Sequence, residues 1–369
     1  MLLQSWRLRH ASRNLSVPRL VSRGRWNSTV STKHHEPLRI LFCGADQFSI
    51  YSLRALHELQ NGQGDKIASI DVVCRPDKRT GRGLKQISEV PIKRTATELE
   101  IELHQIDSFK GWEPPKPFDL IVAVSFGLLV PARLLSGAKY GGVNVHPSLL
   151  PDLRGPAPIQ HTLLRRCAST GVTLQTMHPT RFDHGMILDR FEASVPPNST
   201  PQRLVEFLGP LGADLLARGI AKGIFVPPYE GLSDADPPRQ PSHAPKIMPE
   251  DRHIDWGTWT SEEIQLRDHV LGRLWDTTTY DLCMSGESSR TSSKRVSFVG
   301  PWRVHKAPSD QMLAKPGLPV LLPNHKLTTF GIWSADSCVM VPQGVTIQGE
   351  PKSGARQKLA HALNTQKEG

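Results

Sequence analysis

Between residues 38 and 200 the apolar positions recur with two different periods. Leu38–Cys43 (LRILFC) is a short apolar run ended by Gly44, and Phe48, Leu53, Leu56 and Leu59 then fall at helical spacing. That order predicts strand, turn and helix. Ile67–Cys74 (IASIDVVC) predicts a second strand, and Val90–Leu103 a helix opened by Pro91. Asp119–Ser125 (DLIVAVS) is an almost unbroken β-branched run, as suits a strand covered on both faces. Gly141–His146 (GGVNVH) and the alternating Gly171–Met177 (GVTLQTM) add two more strands. Strands and helices in alternation predict an open, mainly parallel α/β sheet across 38–225. Thr200–Gly219 presents Leu204, Leu208, Leu211 and Leu215 on one helical face, which Pro210 is expected to disturb.

The pattern then changes. Pro227, Pro228, Pro237, Pro238, Pro241, Pro245 and Pro249 crowd the stretch 226–250. Few contacts are expected to cross it, which places a linker there and a domain boundary. Beyond it, 251–369 shows short apolar runs broken by Gly, Pro and Ser, as in a small β-rich domain. Ser285–Ser293 reads as a polar insertion.

Charge sharpens this division. The 369 residues hold 45 Lys and Arg against 35 Asp and Glu, a net charge of +10. Seven of the basic residues lie within 1–35, which has no acid at all, so the rest of the chain is 38 against 35. The same segment is rich in serine, and Leu2, Leu3, Trp6 and Leu8 interleave with Arg7 and Arg9. An acid-free, Arg- and Ser-rich amphipathic start predicts a disordered mitochondrial import sequence, removed before folding. A basic tail that binds RNA is the competing reading. Without an apolar run of about 18 residues, no membrane insertion is expected. The five cysteines stand at least 31 positions apart, so no Cys-x-x-Cys pair or structural zinc is expected.

Ligands of open α/β sheets bind beyond the carboxyl ends of the strands. Asn144 and His146 share a face at such an end, where an amide donor and an imidazole can hold a developing oxyanion and move a proton. A structural histidine and a turn-forming asparagine fit the same spacing. Asp183, beside Gly185, is a second candidate if its loop folds back to His146. The run Arg75–Lys85 (RPDKRTGRGLK) sets five basic residues against one acid on the same side of the sheet, where phosphates are a natural partner. No G-x-G-x-x-G fingerprint, P-loop or metal-ligand cluster is found, which disfavours nucleotide-dependent redox and metal chemistry.

These residues resemble the methionyl-tRNA formyltransferases of the mitochondrial type. The likeness rests on Leu38–Gly44 with Phe48, Arg75–Lys85, Asp119–Leu129, Gly142–Pro151 (GVNVHPSLLP), Arg154–Gln160 (RGPAPIQ), Gly171–Thr173 and Asp183 with Gly185. Ala244–Lys246 and Ile254–Trp256 extend it to about residue 275, after which it fades. The resemblance implies a Rossmann-like formyltransferase sheet followed by a smaller β-barrel-like domain that grips tRNA. It implies transfer of a formyl group from 10-formyltetrahydrofolate to the methionine amine of charged initiator tRNA in the mitochondrial matrix, by a monomer without a metal. Asn144, His146 and Asp183 would be catalytic, and Ser148, Leu149, Leu150 and Pro151 would wall the folate pocket. Lys78, Arg79, Arg82 and Lys85 would meet the tRNA. The Asn-x-His string also occurs in formyltransferases acting on small amines, and a silent RNA-binding relative would keep the fold. Pro147 stands where the bacterial pattern has Gly, and Met186 where an acid or proline is usual.

Overall fold

The computed structural model describes residues 25–26, 32–62, 65–230, 240–284, 293–306, 315–322, 329–351 and 353–368. In chain order the first half runs β1 (Arg25–Trp26), β2 (Leu38–Gly44), α1 (Gln47–Asn61), β3 (Ile67–Cys74), β4 (Lys78–Thr80), β5 (Gln86–Ser88), α2 (Ile92–Glu98) and β6 (Glu102–Gln105). It continues with β7 (Leu120–Val124), α3 (Ala132–Gly137), β8 (Gly142–His146), α4 (Pro158–Leu164), β9 (Ser169–Thr176), β10 (Ile187–Ser194) and α5 (Pro201–Lys222). Eight of these strands form one sheet in the order β1-β10-β9-β8-β7-β2-β3-β6. The five strands from β8 to β6 are parallel, and β9, β10 and β1 join antiparallel.

Period-two alternation builds both layers. Leu38, Ile40 and Phe42 of β2 face a core shared with α1 and α5, while Leu41 and Cys43 face a second one with Ile121, Phe126 and Leu134. β7 is buried along its whole length, as its sequence predicts. Helix α1 begins at Asp46, whose carboxylate accepts the Ser49 backbone N–H at 3.0 Å.

Three expectations are corrected. The segment 90–103 is not one helix: Glu100 takes a left-handed φ of 54°, α2 stops at Glu98, and Glu102–Gln105 pairs with β3. Pro210 does not break α5, a 22-residue helix. Its ring lies on the exposed side, while Leu204, Leu208, Leu215 and Leu216 stay buried, so tertiary packing outweighs the lost hydrogen bond. The ordered chain also begins before Leu38. Lys33 donates its backbone N–H to the Lys222 carbonyl at 2.8 Å, and the His35 ring donates to the Ile220 carbonyl at 3.0 Å, satisfying the end of α5. The remainder of the expected import segment, apart from β1, lies outside the described residues, as does nearly all of the Ser285–Ser293 insertion.

The second half holds α6 (Ser261–Leu271), β11 (Leu274–Asp276), α7 (Thr278–Met284), β12 (Val296–Lys306), β13 (Pro319–Leu322), β14 (Thr329–Trp333), β15 (Cys338–Ile347) and α8 (Ala355–Glu368). Its strands form an antiparallel sheet ordered β11-β12-β15-β14-β13, consistent with a barrel-like domain. Trp256, Phe298, Trp302, Phe330 and Met340 fill its core. Helix α6 belongs to both halves. Val270 and Leu271 pack in the first core, and Ile264 packs in the second. Among the described residues no helix is long and apolar enough to cross a membrane.

Candidate active site

Strand β8 ends in His146, and its antiparallel neighbour β9 sets Gln175 opposite Asn144 and Thr173 opposite His146. The pleat therefore places Asn144, His146 and Gln175 on one face, at the carboxyl end of the parallel strands. The loop after β9 returns Asp183 to that face. Asp183 adopts a left-handed φ of 55°, and the turn closes on Gly185, where a Cβ would lie 1.6 Å from the Thr176 carbonyl oxygen. Only glycine fits there, which is why Asp183 and Gly185 occur together.

Four donors surround the Asp183 carboxylate. Its Oδ1 lies 3.4 Å from Asn144 Nδ2, 3.4 Å from His146 Nδ1 and 3.2 Å from Gln175 Nε2. Its Oδ2 accepts the Gly155 backbone N–H at 2.9 Å. The other ring nitrogen of His146, Nε2, donates to the Leu153 carbonyl at 3.0 Å. Both imidazole nitrogens thus face oxygen acceptors. The side chains of His146 and Asp183 are 7% and 9% exposed, so their interaction is little screened by water. The two contacts at 3.4 Å sit at the long end for hydrogen bonds, so these donors are able to turn toward a nearby oxygen at small cost.

These groups line one side of a cavity of about 890 Å³. Its apolar wall is Phe126, Leu128, Leu129 and Val130, in the loop following β7, where Ser125 and Gly127 take positive φ. Arg154, Arg181, the 54%-exposed Phe182 and His243 also line the cavity. The volume and mixed lining are those of a small-molecule site.

Ser148, Leu149, Leu150 and Pro151, expected to wall the folate pocket, lie in the loop that follows His146. Ser148, Leu149 and Leu150 are buried, and none of the four lines the cavity. Thr173 is the reason: its hydroxyl donates to the Ser148 carbonyl at 2.7 Å and accepts the Leu150 N–H at 3.1 Å, drawing the loop under the sheet end. Pro147 does reach the cavity. Met186 is 48% exposed, and its N–H bonds the Thr176 hydroxyl at 2.9 Å, so that departure leaves the Asp183 turn intact.

Gln175, Arg154 and His243 are site residues that the motif reading missed. For Gln175 the signal was present: in GVTLQTM the polar positions Thr173 and Gln175 alternate with buried Val172 and Leu174. His243 comes from the proline-rich stretch, and no local pattern points to it.

The basic run after β3 folds as the hairpin β4–β5, closed by a 3₁₀ turn at Arg82–Leu84. Lys78, Arg79 and Lys85 are exposed, as are Leu84 and the 67%-exposed Ile87. The Arg82 side chain lies outside the described residues. Asp77 anchors the hairpin, accepting from the Val90 N–H at 3.0 Å and from Lys93 Nζ at 2.5 Å. Away from the cavity, Asp71, Glu102 and His104 gather within 4.8 Å of one another, with Lys116 paired to Glu102 and 3.9 Å from Asp71 as countercharge.

A family described as "Formyl transferase" matches residues 38–218. A mitochondrial methionyl-tRNA formyltransferase of Saccharomyces cerevisiae is 33% identical over 302 residues, covering 71% of this chain and 75% of that protein. The human mitochondrial methionyl-tRNA formyltransferase is 36% identical over 261 residues, covering 69% of this chain and 63% of its own length. Among solved structures, a sugar 3N-formyl transferase crystallised with dTDP and 5-N-formyl-THF aligns with a TM-score of 0.49 and 15% identity, over 86% of this chain and 100% of that one.

Proposed function

Because the chain belongs to the methionyl-tRNA formyltransferase family, we propose that it moves the formyl group of 10-formyltetrahydrofolate to the amino group of methionine on charged initiator tRNA, in the mitochondrial matrix. The observation that carries this reading is the convergence of Asn144 Nδ2 and His146 Nδ1 within 3.4 Å of one carboxylate oxygen, at the wall of the cavity.

The unprotonated amine attacks the formyl carbon, a C–N bond forms, and the formyl oxygen becomes an oxyanion. Asn144 and His146 donate to that oxygen, each contributing about 3–4 kcal/mol if well aimed. Asp183 holds the imidazole in place and receives the proton released by the attacking nitrogen, directly or through water. Collapse of the intermediate breaks the bond to the folate nitrogen, which leaves with a proton. Phe126, Leu128, Leu129 and Val130 offer an apolar wall to a heteroaromatic ring. Lys78, Arg79, Arg82 and Lys85 take the acceptor end of the tRNA, with the β-rich half as a second tRNA-binding surface. No step calls for a metal, and one monomer supplies every group named.

A formyl-transfer assay on the full chain tests this directly. Wild type should formylate methionyl-tRNA from 10-formyltetrahydrofolate, and His146→Ala should lose at least a hundredfold in kcat. Equal rates would reject the mechanism. Charge reversal at Arg79 and Lys85 separates the tRNA reading from a small-amine formyltransferase, which would be indifferent to it.

A further inference from the structure

The stretch Ser242–Pro245, within the proline-rich segment, is not a free tether. It lies along the loop 151–157 as a strap. The backbone N–H of Ser242 donates to the Pro151 carbonyl at 3.4 Å, that of Arg154 to the Ser242 carbonyl at 3.0 Å, and that of Ala244 to the Arg154 carbonyl at 2.6 Å. Side chains fasten it from α4: the His161 ring donates to the Pro245 carbonyl at 3.0 Å, and Arg165 donates to the Ser242 hydroxyl at 2.8 Å and to the His243 carbonyl at 2.6 Å. The loop is shaped to receive it. Gly155 has a φ of 115°, and a Cβ there would lie 2.7 Å from the Ala244 carbonyl oxygen.

The loop under the strap supplies both backbone groups that orient the candidate catalytic pair. The Leu153 carbonyl holds His146 Nε2, and the Gly155 N–H holds Asp183 Oδ2. Leu153 itself sits at a φ of 56°, a conformation that a leucine keeps only when its surroundings impose it. Ser242 Oγ is the group that meets its backbone N–H. That oxygen accepts the Leu153 N–H at 3.0 Å, accepts from Arg165, and gives its own proton to the Asp152 carboxylate, so every hydrogen-bonding capacity of the hydroxyl is used.

We propose that Ser242 is a positioning residue for His146, acting through Leu153. The strap sets the imidazole's direction from a segment that continues into the β-rich half. The kinetic part of this inference rests on the formyl-transfer reading. A displacement of the Leu153 carbonyl by a fraction of an ångström misaims Nδ1, and such misplacement costs catalysis more than binding.

The test uses the full chain with Ser242→Ala, His146→Ala and the double variant. Ser242→Ala should lower kcat about tenfold and leave KM for folate and for tRNA within about twofold. In the His146→Ala background the same change should have no further effect, because the group through which Ser242 acts is already gone. Nitrogen NMR of the His146 ring supplies a readout independent of formyl transfer: the proton on Nε2, slow to exchange in the wild type, should exchange faster in Ser242→Ala. An unchanged kcat, or an equal tenfold loss with and without His146, would overturn the proposal. If the wild type formylates nothing, the formyl-transfer reading falls alone, and the strap is then judged by the ring spectrum, where no change refutes it. Should Ser242→Ala misfold, Arg165→Ala removes two fastenings from outside and carries the same expectations.

Discussion

Asp183 accepts from three side chains and one backbone amide, and that arrangement needs an acceptor at both oxygens. Asp183→Asn keeps the shape but turns an NH₂ toward existing donors and removes the charge beside His146. Turnover should fall at least a hundredfold, while tRNA affinity, read by filter binding, stays within about twofold. The cysteines give a second prediction. Burial pushes the Cys43 thiol far above its ordinary range, Cys74 up to about 11 and Cys283 up to about 12. At pH 8 a thiol reagent should label the half-buried Cys167 and Cys338 first and reach the other three only on unfolding. At this scale the sequence was informative wherever the pattern is local. Asn144 and His146 share a strand face by period two, whereas for Ser148–Pro151 adjacency to His146 does not say which way the loop turns. Its turn is set by Thr173, on another strand.

Among the elements, the hairpin β4–β5 carries the exposed positive charge on a rigid mount. The Lys93 ammonium, with the Val90 N–H, holds the Asp77 carboxyl below its ordinary range. The anchor is therefore ionised and intact at neutral pH, and it weakens only in strong acid, as pH falls through that lowered value. If Arg79 and Lys85 contact phosphates, replacing both by alanine should reduce the slope of log affinity against log salt by about two and leave kcat at saturating tRNA within about twofold. Strands were legible because burial on two faces leaves unbroken apolar runs. The helix expected over 90–103 failed at Glu100, since a single left-handed residue is not written in hydrophobic spacing. The strap was illegible for a different reason. Its contacts join residues up to 91 positions apart, and proline-rich composition suggests looseness where backbone pairing gives attachment.

Taken as a whole, the molecule fixes the start of β7 to β2 through Asp119. Arg39 donates to it by Nε at 2.9 Å, Nη2 at 2.8 Å and its backbone N–H at 2.9 Å, which lowers the Asp119 carboxyl. For a carboxyl lowered in the folded state, the stabilisation is present above the ordinary value near 4 and is lost as pH falls through the lowered one. Asp119→Asn should thus reduce Tm by about 2 °C at pH 7, Arg39 being partly solvent-screened, and the difference should close in acid below about pH 4. A second, β-rich sheet was readable from the short apolar runs broken by Gly, Pro and Ser; what joins it to the first was not.

Helix α6 makes that join material. With Val270 and Leu271 in one core and Ile264 in the other, neither sheet is able to shed its neighbour without exposing part of itself. Arg166 adds a 3.0 Å tie from the end of α4 to Glu262. Differential scanning calorimetry should therefore record a single endotherm for the intact chain, and Ile264→Ala, which opens a void costing about 2–4 kcal/mol, should move that endotherm bodily rather than split it.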